Sequence, residues 1–221
     1  QRSMFKKSVP VELSELRGIP QDVIDELDNR SGGYSPLQAV RWAKENESNR
    51  TFDTFKNNCA NFVSRALSAA GLQQDSNPQP DGDADQWGKW GLSMVPGMQS
   101  SDNQNPSLLD RLQESEGYSR SWYNSDAQRR FFLSHGGSEV GPLDARPRDV
   151  IYFNYESPDN PEPAGTSHHA ALVTAVLPNG EVLYTQHEPA ATNLSSQGRL
   201  PMIEQNEGRQ SVHIVRPRQT W

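Results

Sequence analysis

Lys56-Asn57-Asn58-Cys59-Ala60-Asn61-Phe62-Val63-Ser64-Arg65-Ala66-Leu67 is the stretch around which the rest of the chain is best understood. Phe62, Val63, Ala66, Leu67 and Ala70 recur at spacings of three and four, the period of a helix with one buried face. Gly71 supplies its stop. The single cysteine, Cys59, then falls in the first turn. There the unpaired backbone N–H groups and the positive end of the helix dipole favour an anion. A thiol so placed has its pKa lowered and becomes a nucleophile in need of a base.

Base candidates lie about 110 residues downstream, in Ser167-His168-His169-Ala170-Ala171-Leu172-Val173-Thr174-Ala175-Val176. This short apolar run ends at Pro178-Asn179-Gly180 and is followed by Glu181-Val182-Leu183-Tyr184-Thr185-Gln186-His187. Two strand-like runs joined through Asn-Gly predict an antiparallel hairpin. His169 near the start of the first strand and His187 at the end of the second then share one end. A nucleophile on a helix, a base on a strand and an orienting residue on the next strand are the parts a cysteine hydrolase requires.

Cys59-Ala60-Asn61-Phe62-Val63-Ser64, Asp149-Val150-Ile151-Tyr152-Phe153, His169-Ala170-Ala171-Leu172-Val173-Thr174 and Thr185-Gln186-His187 together resemble the bacterial putative amidase domain family, itself similar to the NlpC-type and CHAP peptidases of the papain-like superfamily. Tyr34 to Ala43 resembles the helix that opens that domain, and Ser121-Trp122-Tyr123-Asn124 its mid-chain Trp motif. The resemblance spans roughly residues 34 to 216; Ala60 stands where the family usually has Thr. It implies an α+β fold with a papain-like (NlpC-type) core, the nucleophile helix packed on an antiparallel sheet, in an amidase domain of residues 34–221 preceded by an N-terminal tail and helical extension, 1–33. It selects His169 over the adjacent His168, and the Thr-Gln-His match supports His187 as orienter, with Glu188 as the alternative. It also implies amide hydrolysis directed at peptidoglycan. The substrate would be the glycan–peptide link or a bond in the stem peptide. The same machinery serves deamidation or proteolysis of a protein target by a delivered toxin, against which an immunity protein would act.

An oxyanion would be met by the Cys59 backbone N–H and one side chain, with Asn58 and Gln186 as candidates. Trp87, Trp90 and Trp122 are candidates for the walls of a substrate groove, with core or loop anchoring as the alternative; His135 and His213 read as structural. A binding module without activity is the rival class, docking wall fragments through the Trp-bearing loops. A metal-dependent hydrolase is poorer, since the histidines lack i, i+4 spacing.

The 221 residues fit one domain, or one domain with an appendage. Hydrophobic content is 33% and mean hydropathy −0.83, values that predict long polar loops around a core built on five Trp, six Tyr and seven Phe. A net charge of −7 argues against nucleic acid or an anionic membrane surface as partner. One cysteine excludes an internal disulfide and a multi-cysteine zinc site, and neither a metal nor another cofactor is expected. No apolar run has transmembrane length, so membrane insertion is not expected. The start at Gln1 suggests a C-terminal module of a longer polypeptide acting in a secreted or periplasmic setting.

In order along the chain, short helical patterns are expected at 11–16 and 21–27, then a helix from Ser35-Pro36 through about Glu45. The acidic Gly- and Pro-containing loop near 75–86 reads as a solvated loop rather than a calcium site, because the spacing of an EF-hand fails. Short helices are expected at 107–113 and 125–134, a strong strand at 149–155, a polar segment up to Gln210, and a last strand at 211–216.

Overall fold

The computed structural model describes residues 34–75, 85–89, 117–158 and 160–218. The helical patterns expected before residue 31 and at 107–113, and most of the acidic loop, lie outside the described residues.

The helix that opens the described part, α1 (Pro36–Asn46), starts with Pro at its first position and buries Leu37, Ala39, Val40 and Ala43. The Ser35 side chain makes no cap bond. Its backbone N–H donates to Ala70 O at 2.8 Å, which ties the start of α1 to the end of the next helix. That helix, α2 (Cys59–Ala69), begins at Cys59, and Gly71 terminates it in the left-handed region at φ 96°. The sequence stripe predicts one buried face; in fact every residue from Cys59 to Ser64 is buried. The extra burial is polar and satisfied. Asn61 Oδ1 accepts from Trp122 Nε1 at 2.9 Å, and Ser64 Oγ accepts from Trp87 Nε1 at 3.0 Å and Gln128 Nε2 at 2.8 Å. Two further helices, α3 (Arg120–Tyr123) and α4 (Ser125–Ser134), follow. The Asn124 side chain caps α4 by accepting from Ala127 N–H.

Six strands form one antiparallel sheet: β1 (Ser138–Val140), β2 (Val150–Tyr155), β3 (Ser167–Val176), β4 (Val182–Gln186), β5 (Ala191–Ser195) and β6 (Gln210–Arg216), in the order β1-β6-β2-β3-β4-β5. The predicted hairpin is present as β3 and β4, turning through Pro178–Gly180 with Gly180 at φ 84°. Alternate residues of β2 serve two cores. Val150 and Tyr152 pack with α1, α2 and α4, whereas Ile151 and Phe153 join Ala171, Val173, Tyr184 and Ile214 on the other face. Coverage of both faces explains why β2 reads as an unbroken apolar run.

The segment expected to be merely polar contains β5 and a helix, α5 (Ser196–Glu207). Only Ser196 of α5 is buried and Pro201 lies inside it, so no apolar stripe betrays the helix. Its start is fixed by Ser195 Oγ, which accepts from Gly198 N–H at 2.9 Å. The fold is therefore α+β, with the helices that include α2 on one face of an antiparallel sheet.

Candidate active site

Cys59 meets three groups at the start of α2. The Ser125 hydroxyl, in the first turn of α4, lies 3.3 Å from its Sγ. The ring of His169 and the backbone N–H of Ala170, both on β3, also act on the sulfur and lower its pKa. Only 1% of Cys59 is exposed. Burial alone pushes the thiol pKa up; the hydrogen bond and charge of His169, with the Ser125 and Ala170 contacts, outweigh it and leave the thiol below its ordinary value. The same balance acts on His169 in the opposite sense. Burial lowers its proton affinity, the contact and charge of Cys59 raise it, Gln186 adds to that, and the net value stands above the ordinary histidine range. Both shifts move the two groups toward a thiolate–imidazolium pair.

Gln186, the last residue of β4, fixes which nitrogen does what. Its Nε2 donates to the Pro189 carbonyl at 2.9 Å, so its Oε1 must be the atom 2.9 Å from His169 Nε2. That oxygen only accepts. His169 Nε2 therefore carries a proton, and Nδ1 is left to face the thiol.

His187 does not take the orienting place expected of it. Neighbouring residues of an extended chain point to opposite sides, so Gln186 facing His169 turns His187 away. It is 2% exposed, stacks on Phe62, donates from Nδ1 to Glu47 O and meets Asp53 Oδ1 through Nε2, both at 2.6 Å. Glu188, the alternative, accepts at 2.6 Å from the Asn58 backbone N–H rather than from His169. His168 lines the same cleft but is engaged elsewhere, stacked on Tyr155 at 3.9 Å and 3.4 Å from Glu207.

Two further expectations need correction. The Asn58 side chain is spent: Oδ1 accepts from the Thr54 and Phe55 N–H groups, and Nδ2 donates to Phe55 O at 2.8 Å and Glu188 Oε1 at 3.2 Å. It locks the turn before α2 and has no proton to offer an oxyanion. Trp87 and Trp122 are wholly buried, with indole N–H groups held by Ser64 and Asn61, and so belong to the core rather than to a groove wall. Trp90 lies outside the described residues. His135 is stacked on Phe131, and His213 is paired with Glu139. Sequence reasoning misses Ser125, because nothing in a lone Ser 66 positions from Cys59 marks it.

A cleft of about 620 Å³ opens over Cys59, Ser125, His169 and Gln186, and α5 adds Arg199, Met202 and Ile203 to its lining. Among the described residues, Asp53, His187 and Glu188 are the group whose ligand atoms converge as for a metal ion. Their arrangement is already closed. His187 Nε2 is taken up by Asp53 Oδ1 at 2.6 Å, and Arg50 lies 3.1 Å from Asp53 Oδ2 and 3.9 Å from Glu188 Oε1 as counter-charge.

A family model described as a putative amidase domain matches residues 33–214. The chain belongs to that family, which points to amide hydrolysis as its chemistry. Comparison with curated proteins and with solved structures finds no match.

Proposed function

We propose that the protein is a cysteine-dependent amide hydrolase of papain-like, NlpC-type organisation. Cys59 is the nucleophile, His169 the proton carrier and Gln186 the residue that orients it. One observation carries this reading: a single imidazole bridges the chain's lone thiol and a side-chain amide whose own direction is fixed by Pro189. A binding module has no use for that bridge.

The chemistry follows from the geometry. Thiolate Sγ attacks the amide carbonyl, the S–C bond forms, and the carbonyl π pair moves to oxygen. As the tetrahedral species collapses, the leaving nitrogen takes the proton from imidazolium Nδ1. Neutral His169 then takes a proton from water, whose hydroxide displaces the thiolate and frees the carboxylic acid. Gln186 holds the ring in one tautomer throughout.

The resemblance to wall-cleaving peptidases directs the reaction to peptidoglycan, at the glycan–peptide link or within the stem peptide. The protein then acts outside the cytoplasm, as a secreted enzyme or a delivered toxin domain, and a producing cell would need an inhibitor protein. Digestion of purified peptidoglycan, with products read by mass spectrometry for the native protein and Cys59→Ala, tests this. Cleavage lost in the variant identifies the bond. Cleavage by neither sinks the wall reading and turns the search to protein substrates.

A further inference from the structure

We infer that the Ser125 hydroxyl is the side-chain donor that stabilises the oxyanion formed on the substrate carbonyl. This rests on Cys59 as the nucleophile but not on any particular substrate.

An acyl transfer develops a full negative charge on the carbonyl oxygen, and a preorganised donor aimed there is commonly the largest contribution to catalysis. The other candidate donors are wholly or partly committed. Both Asn58 Nδ2 protons are used, one Gln186 Nε2 proton is held by Pro189 O, and the Cys59 N–H already meets Asn57 Oδ1 at 3.2 Å. Ser125 is different. Its Oγ is 3.3 Å from Sγ and, among the described residues, has no other hydrogen-bond partner. The residue is 6% exposed, yet it lines the cleft beside Cys59. It also begins the ten-residue helix α4. The first-turn N–H groups of such a helix lack intrahelical partners and add positive potential at the same spot. The N-termini of α2 and α4 thus converge on one sulfur.

A hydroxyl rotor can follow the charge. In the resting pair the Ser125 O–H donates to thiolate Sγ. When the S–C bond forms, the charge passes to the carbonyl oxygen, two bonds from Sγ, and the same proton turns to it. Collapse restores the carbonyl, expels the leaving group and returns the hydroxyl to sulfur.

Two small probes separate this role from a structural one. p-Nitrophenyl acetate acylates a thiolate through an oxyanion and releases p-nitrophenolate. Iodoacetamide alkylates the same thiolate by displacement at a tetrahedral carbon, with no oxyanion. In Ser125→Ala, acylation falls about 10²-fold, the loss expected for one oxyanion donor, whereas alkylation at its high-pH plateau stays within a few-fold of native. Ser125→Thr, which keeps the hydroxyl, recovers most of the acylation. If Ser125→Ala does not fold, Ser125→Gly takes its place in the same comparison. Parallel loss of both reactions, or no loss of acylation, overturns the inference and leaves Cys59 as nucleophile. A Cys59→Ala protein that reacts with both probes at the native rate overturns the nucleophile as well, so the two failures are distinct.

Discussion

His169 Nε2 lies 2.9 Å from Gln186 Oε1, and the next residue, His187, turns to the opposite side onto Asp53. Under the proposed chemistry that parity gives adjacent side chains separate tasks, orientation of His169 for Gln186 and clamping for His187. Kinetics and stability can distinguish the two.

Gln186→Ala is expected to leave the fold intact and reduce kcat by about 10²-fold, since the imidazole loses its fixed tautomer. His187→Ala is expected to do the reverse. It leaves Glu47 O and Asp53 Oδ1 without their His187 hydrogen bonds and costs about 1–3 kcal/mol, with kcat of the folded protein near native. Urea titration and turnover on the same samples check both. A folded His187→Ala protein with native stability and no activity would restore His187 as the orienter.

Cys59→Ala removes the nucleophile and is expected to lower turnover by about 10⁴-fold or more. Circular dichroism should remain native, because Ala fits the first turn of α2.

Trp122→Ala is a test of the core rather than of substrate binding. The indole is fully buried against Trp87 and bonded to Asn61. Truncation should cost about 3–5 kcal/mol in urea unfolding. A variant of unchanged stability that instead loses substrate affinity would return Trp122 to the groove.

The sign of the pH dependence follows from the pair. In the proposed chemistry Cys59 must be deprotonated and its pKa is lowered, so activity rises with pH at values below the ordinary thiol range. His169 must be protonated to serve the leaving nitrogen and its pKa is raised, so activity declines above the ordinary histidine range. A bell in kcat/KM, insensitive to chelators, is expected.

Much of this site is legible in the amino-acid sequence. The apolar period places Cys59 at the start of a helix, the Asn-Gly turn pairs β3 with β4, and the family resemblance singles out His169, the histidine that acts on Cys59. Choosing Gln186 over His187 needs the facing of the strand end, which adjacent residues cannot reveal in a stretch buried on both faces. Ser125 is brought to Cys59 only by packing of α4 against α2 and β3. β1 and α5 escape for a different reason. One has three residues, and the other is polar nearly all round with a Pro inside, so neither carries a period to read.

The most direct measurement of the central claim is the pH dependence of Cys59 alkylation by iodoacetamide in the native protein and in His169→Gln. The account predicts a native midpoint below the ordinary thiol range and a clear upward shift in the variant, which loses the imidazolium and leaves the buried sulfur without its counter-charge. Coincident curves, or a native thiol that reacts only when the protein is unfolded, would contradict it.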